Sequence, residues 1–145
     1  MAKKPVVKWY GKEAVKIAQE AGLKALRTGG EKVLTEAIKA APVDTGTLRR
    51  SGTVTVGKLP NFGQVYESAQ AGNDMGAAFP GETGKEKAVY VSFSTPYARR
   101  QHEELGYHHP RGGGPKYLET PFRQLESKVK RMAELSIKKA LRETK

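Results

Sequence analysis

The sequence has 145 residues and a net charge of +11, and 37% of its side chains are hydrophobic. These values fit a single domain spanning residues 1–145. Cysteine is absent, which excludes disulfide bonds, cysteine-based zinc sites and thiol catalysis. No apolar run approaches the roughly 20 residues of a membrane span, and the start of the chain lacks the apolar stretch of a signal peptide. We therefore expect a non-secreted protein with no membrane contact.

A long helix is predicted over residues 9–41, because apolar side chains recur there at helical spacing. The apolar stripe changes phase at Gly29-Gly30, where a kink or break is expected, since glycine costs about 1 kcal/mol inside a helix. The two halves should then face different partners, and the alanine-rich first half suits docking on another subunit. Pro42 ends the helix, because the residue before a proline avoids the α conformation. Residues 1–8 are expected to form a flexible tail.

The middle of the chain is predicted to contain turns, strands and a loop. Thr53–Val56 is β-branched and alternating, as in a strand, and residues 64–66 are predicted as a second short strand. Residues 68–86 contain four glycines and no periodicity, which favours a long mobile loop. Residues 88–94 form the clearest strand, with alternate apolar side chains on one face.

The last part of the chain is predicted to be mainly helical. A short helix over residues 96–104 is followed by a glycine-rich loop and by a long helix over residues 119–142. That last helix has an apolar stripe and an opposite basic face, and Leu135 projects among the basic residues. The predicted fold is therefore α+β: a long N-terminal helix, a small antiparallel sheet, a short helix and a long C-terminal helix.

Two patterns invite a catalytic or ligand-binding interpretation, and neither fits. His102, Glu103, His108 and His109 are close in sequence, but the zinc-protease pattern needs two histidines one helical turn apart. Residues 81–86 resemble part of a phosphate-binding loop, yet Glu86 stands where that motif needs Ser or Thr. We therefore predict no enzyme activity, no catalytic residue, no metal site and no cofactor.

The most distinctive segment is Ala41–Ser51, which reads A-P-V-D-T-G-T-L-R-R-S. It is followed by Tyr90–Ala98, by His102–Gly106 with H-E-E-L-G, and by Pro115–Leu118 before the last helix. This order resembles the small morphogenesis proteins of tailed phages that are described as minor capsid, neck, head–tail joining or tail-completion proteins. Such proteins typically show P-V-D-T-G-x-L-R-x-S after a long N-terminal helix. The resemblance covers roughly residues 10–140.

The resemblance implies a structural virion protein at the neck or tail end of a long-tailed phage, assembled in the host cytoplasm. It would form a ring of six or twelve copies that joins the head connector or stopper to the tail-tube or tail-terminator proteins, with passive contact to DNA in the channel. A ring needs two different complementary patches on each subunit. The expected interface residues are Pro42, Asp44, Thr45, Gly46, Leu48, Arg49, Arg50, Tyr97, Glu103 and Leu135.

The segment Pro42–Ser51 also has a physical interpretation as a rigid corner. Gly46 supplies an unusual backbone dihedral and Leu48 plugs the junction between helix and sheet. Arg49 and Arg50 are expected to meet Glu103 or Glu104, or acids of the next subunit.

Two other function classes remain open. The net charge of +11 and the basic helix faces suit sequence-independent nucleic-acid binding, although the same charges also suit a solvated surface. A looser site built from His102, Glu103, His108 and His109 would suit a metal-dependent nuclease.

Overall fold

The computed structural model describes residues 11–78 and 84–143. Along the chain it contains α1 (Gly11–Ala40), α2 (Thr47–Arg50), β1 (Gly52–Val56), α3 (Phe62–Gln70), α4 (Met75–Ala78), β2 (Val89–Phe93), α5 (Ala98–Glu103) and α6 (Glu119–Arg142). The fold is α+β, as predicted, with one antiparallel pair of strands among the described residues. In this part of the chain no helix combines the length and apolar character that a membrane crossing needs.

α1 and α6 form an antiparallel pair held at close distance by glycines. A Cβ atom placed on Gly22 would lie 3.2 Å from Ile137 Cδ1, and one placed on Gly29 would lie 2.5 Å from Val129 Cγ1. α1 continues through Gly29-Gly30 without interruption, so the helix does not break there, and the alternative of a kink stays a prediction. These glycines instead allow close packing, which offsets their cost in a helix. The first half of α1 contacts α6 within the chain, through Gly22 and Ile137, and its docking on another subunit stays a prediction.

The two strands pack one face on α1. Gly52 pairs with Phe93, Val54 with Val91 and Val56 with Val89, so these side chains share one face. A Cβ atom on Gly30 would lie 3.2 Å from side-chain atoms of both Val54 and Val89. Glycine at this position therefore lets α1 lie flat against the sheet.

The predicted strand over residues 64–66 is wrong, because these residues lie inside α3. The Asn61 side chain caps this helix by accepting a hydrogen bond from the Gln64 backbone N–H at 3.1 Å. Val65 and Ala69, one turn apart, are buried together with Met75 of α4. The local β preference of Val65-Tyr66 is outweighed by the cap and by this apolar contact.

The region predicted as a loop, residues 68–86, contains helix in two places. α3 continues to Gln70 and α4 occupies Met75–Ala78. Residues 79–83 and the predicted tail over residues 1–8 lie outside the described residues. After the gap, Gly57 N–H donates to the Ala88 carbonyl at 2.8 Å, which closes the connection between β1 and β2.

A small core lies where α1, α2, α5 and the start of α6 meet. Leu48, only 5% exposed, packs with Ala41, Ala98 and Tyr117. The Tyr117 ring contacts Phe93 edge-on at 5.1 Å, and its hydroxyl donates to the Ala98 carbonyl at 2.6 Å. The prediction that Leu48 plugs the junction between helix and sheet is confirmed.

Candidate functional site

An open cleft of about 1040 Å³ lies beside the corner that joins α1 to α2. Its walls come from the corner, α3, α5 and the loop before α6. Seven of the ten predicted interface residues line it: Pro42, Asp44, Thr45, Gly46, Leu48, Arg50 and Tyr97. Arg49, Glu103 and Leu135 do not.

The corner has the rigid geometry that its sequence predicts. Gly46 has φ 84°, a left-handed conformation that glycine adopts without a steric penalty. The Thr45 and Thr47 hydroxyls are hydrogen-bonded at 2.9 Å, and α2 begins at Thr47. Pro42 is buried behind this turn. The chain therefore reverses direction within a few residues and presents the turn to the cleft.

Two arginines hold the corner from inside the chain. Arg49 donates from Nε to the Ala41 carbonyl at 2.9 Å and from Nη2 to the Lys39 carbonyl at 3.1 Å, both at the C-terminal end of α1. Arg50 donates from Nε to the Ala69 carbonyl at 2.9 Å, which ties the corner to α3. Helix ends leave such carbonyls without helical partners.

The expected pairing of Arg49 and Arg50 with Glu103 or Glu104 within the chain is therefore wrong. Both guanidinium groups donate hydrogen bonds to nearby backbone oxygens. The Glu103 carboxylate instead forms an ion pair with Lys116, with 2.6 Å between Nζ and Oε2. Leu48 is also buried, so it supports the cleft wall rather than offering contact area. Of these residues, only Arg50 faces the cleft as a cation.

The opposite wall is a glycine-rich turn laid across the end of α1. Gly114 N–H donates to the Ala40 carbonyl at 3.0 Å. Gly113 has φ 78°, and a Cβ atom there would overlap the Ala41 carbonyl oxygen. Arg111 Nη1 donates to the Asp44 carbonyl at 2.8 Å, which links this turn to the corner across the cleft. Glycine is thus required here for close approach of two backbones.

Aromatic and imidazole groups fill much of the remaining wall. Tyr97 is 38% exposed, and partial burial raises the pKa of its hydroxyl, with nearby Tyr66 acting in the same direction. Tyr107 and His108 are exposed at the rim. Nε2 of His109 is shielded from solvent and has no hydrogen-bond partner among the described residues. Tyrosine and arginine are the residue types enriched at protein interfaces.

The histidine cluster does not assemble into a metal site. His102 Nδ1 is 2.6 Å from Glu103 Oε1, and His102 Nε2 accepts from the Glu119 N–H at 3.2 Å. Both ring nitrogens are therefore engaged, whereas His109 lines the cleft. Over residues 11–78 and 84–143, no three His, Asp or Glu side chains gather as metal ligands. The nuclease interpretation consequently lacks a site in the described residues.

Glu103 instead joins an exposed ion-pair network. Its carboxylate meets Lys116, and Lys116 Nζ lies 3.3 Å from Glu119. The hydrogen bond from Lys116, with a smaller effect of His102, lowers the pKa of Glu103, and the same bond raises the pKa of Lys116. The network fixes α5 to the start of α6.

Comparison with known families now bears on this architecture. The sequence model of one family, described as "Bacteriophage HK97-gp10, putative tail-component", matches residues 7–93. The chain belongs to the HK97 gp10-like family. It is thus a structural component of a phage tail, which places it in the virion. No curated protein and no solved structure matches the chain.

The part matched by the HK97 gp10-like family runs from α1 to β2. It contains one wall of the cleft, including the corner and Tyr66, and ends before Tyr97 and the glycine-rich turn. The resemblance given above for residues 10–140 is therefore supported as far as residue 93.

Sequence reasoning missed about half of the cleft. The lining residues that were not predicted as interface residues include two from α3, one from α5 and five from the loop before α6: Tyr66, Gln70, Gln101, Tyr107, His108, His109, Pro110 and Arg111. Tyr66 was hidden by the wrong strand prediction. Arg111 had one usable signal, since it stands directly before three glycines, a pattern typical of a turn that must approach another backbone.

Proposed function

We propose that this chain is a non-enzymatic ring subunit at the neck or tail end of a long-tailed phage, and that the ring joins the head connector to the tail tube. The partners are further copies of the chain, the connector or stopper, and tail-tube or tail-terminator proteins. The family match supports the tail role. The cleft supports the joining role, because it is an open and structurally rigid surface at the most distinctive motif of the sequence.

The chemistry of the cleft suits a segment of another virion protein. Arg50 and Arg111 give it positive charge, opposed by the single carboxylate of Asp44. Three tyrosines supply amphipathic contact area. A partner segment with an acidic group and one or two apolar side chains would satisfy both features.

The cleft is tested by substituting one exposed residue that lines it, Tyr97. Tyr97→Asp should leave the fold intact, because this side chain lies outside the buried core. A phage carrying it should produce filled heads and separate tails, visible by electron microscopy, and should lose plaque-forming particles. Leu59→Asp is the matched control, since Leu59 is also exposed but lies outside the cleft. Normal titres from the Tyr97 variant would contradict the joining role of the cleft.

A second candidate is sequence-independent nucleic-acid binding, which the exposed face of α6 favours. Five basic residues there are exposed and form no ion pair among the described residues: Lys128, Arg131, Lys138, Lys139 and Arg142. Binding through phosphate neutralisation loses affinity steeply as salt rises. Retention on duplex DNA at 50 to 200 mM salt, compared with a Lys138→Glu/Lys139→Glu variant, separates this activity from a purely structural role.

A further inference from the structure

The outer edge of β2 has backbone groups without hydrogen-bond partners. Gly57 and Ala88 are bonded across the sheet at 2.8 Å, and hydrogen-bonded pairs alternate along an antiparallel ladder. In the observed register, the N–H and C=O groups of Val89 and Val91 therefore point away from β1. Among the described residues, no hydrogen bond reaches these outward groups. Such an edge is a template for another strand.

A groove of about 560 Å³ runs beside this edge. Val89 and Val91 form one wall, and Leu118 and Phe122 at the start of α6 form the other. Phe122 is 53% exposed, so the apolar wall is open to a partner side chain. An extended segment here would obtain backbone hydrogen bonds from β2 and an apolar pocket for alternate side chains, which is the usual arrangement of strand addition.

We propose that the segment Lys4–Tyr10 of a second copy of this chain adds to the edge of β2 as a third strand, with Trp9 or Val7 in the groove. This inference rests on the proposed ring. The segment reads K-P-V-V-K-W-Y, and its β-branched and aromatic residues favour a strand. Its alternation puts Val7 and Trp9 on the same side.

Charge is compatible with the same occupant. Two carboxylates, Glu103 and Glu119, and one ammonium group, Lys116, line the groove, and Lys116 and Arg123 pair with these carboxylates. The Glu103 side chain is still 52% exposed. Residues 3–10 carry three lysines and no acidic residue, so one of these lysines can join this exposed carboxylate.

Distance assigns the segment to another copy. Gly11 and Gly30 are 19 residues apart on α1, which corresponds to about 28 Å along the helix axis. Gly30 lies against Val89 and Val91. A chain of four residues from Gly11 back to Val7 spans at most about 14 Å. Val7 and Trp9 therefore cannot reach the groove of their own chain, whereas a neighbour in a ring can supply them. This head-to-tail exchange is the heterologous contact that a closed ring needs.

The test uses a synthetic peptide of residues 1–10, which contains Trp9, the one tryptophan of the sequence. The full chain carrying Trp9→Phe is titrated into the peptide at low concentration, and tryptophan anisotropy and emission are recorded. We expect saturable binding with a blue shift. Phe122→Asp should weaken binding by about tenfold or more. Leu141→Asp, at the far and exposed end of the same helix, should leave binding unchanged. Absence of binding, or equal binding to both variants, would overturn the proposal.

A cross-link in the full chain tests exchange between copies. The chain has no cysteine, so Val7→Cys in one preparation and Glu119→Cys, which lines the groove, in another give one defined mixed pair. On mixing and oxidation we expect a mixed disulfide between the two preparations, and none when Lys139→Cys replaces Glu119→Cys. If rings form and heads join tails while this cross-link fails, strand exchange is wrong and the proposed function stands. If peptide and cross-link results are positive but Tyr97→Asp phage remain infectious, the cleft role fails and strand exchange stands.

Discussion

The corner after α1 and the α1–α6 helix pair differ in how far their side chains are bound within the chain. At the corner, Arg49, Arg50 and Arg111 bind backbone carbonyls of their own chain. On α6, Pro121 is the one buried residue, and Phe122, Leu135 and Leu141 are exposed. The corner is thus organised by contacts within the chain, whereas α6 leaves single apolar side chains exposed on different sides of the helix.

This difference bears on what each region can contribute to binding. A surface that is already ordered loses little conformational entropy when it binds, so the corner suits specific recognition. The exposed apolar side chains of α6 do not form one face, because helical spacing sets Phe122, Leu135 and Leu141 about 100° or more apart around the axis. Leu135, predicted as an interface residue, lies among exposed basic side chains such as Lys138 and Lys139 and is 56% exposed.

The largest expected effect comes from truncating the same residue type in each region. Leu48→Ala should lower the free energy of unfolding by about 3 kcal/mol, because it removes a buried side chain and leaves a cavity. Leu135→Ala should change it by less than about 0.5 kcal/mol, as for most surface positions. Urea denaturation of both variants measures the contrast. Equal losses would show that α6 is covered by the rest of its own chain.

A smaller effect is expected at the glycine-rich turn, where two neighbouring glycines form a matched pair. Gly112 and Gly113 both have positive φ, but only a Cβ atom on Gly113 would strike the end of α1. Each alanine substitution costs about 1 kcal/mol in the left-handed conformation. Gly113→Ala should cost about 1 kcal/mol more, since the turn must separate from Ala41. Thermal unfolding followed by circular dichroism compares the two. Similar losses would mean that the turn moves away easily and that the cleft is not rigid.

The same two regions show what sequence alone can reveal. α1, β2 and α6 were predicted closely because their apolar residues recur over enough positions to define a period. α3 was missed because its nine residues are too few for a clear period, and its start is marked only by the Asn61 cap. The corner was recognised by its local turn chemistry.

The cleft could be predicted only in part, for a physical reason. Asp44 and Arg111 are 67 residues apart in sequence and meet across it, and no local pattern encodes such a contact. The roles of Arg49 and Arg50 were wrong for a related reason. A sequence shows which side chains carry charge, but the nearest oxygen atoms belong to backbone groups whose positions follow from the fold.

The smallest effect is expected at the ion pair between α5 and α6, which lies between the two regions. The pKa of Glu103 is lowered in the folded chain, so its stabilisation is present above the ordinary glutamate pKa, near 4.5, and is lost as pH falls through the lowered value. The pKa of Lys116 is raised, so its contribution is present below the ordinary value and is lost only as strongly alkaline pH passes the raised one. Across neutral pH, neither group changes its contribution.

Glu103→Gln should therefore flatten the acid side of the stability profile and leave the shape between pH 6 and about 9 unchanged. The melting temperature of the natural chain and of this variant, recorded from pH 3 to 9, measures it. Glu104→Gln is the control, because Glu104 is exposed and forms no ion pair among the described residues. A Glu104 variant that flattens the profile equally would show that the acid response comes from overall charge repulsion. In that case the contact between α5 and α6 would depend on apolar packing around Tyr117 rather than on the ion pair. The same packing would then hold both the α5 wall of the cleft and the α6 wall of the β2 groove in place.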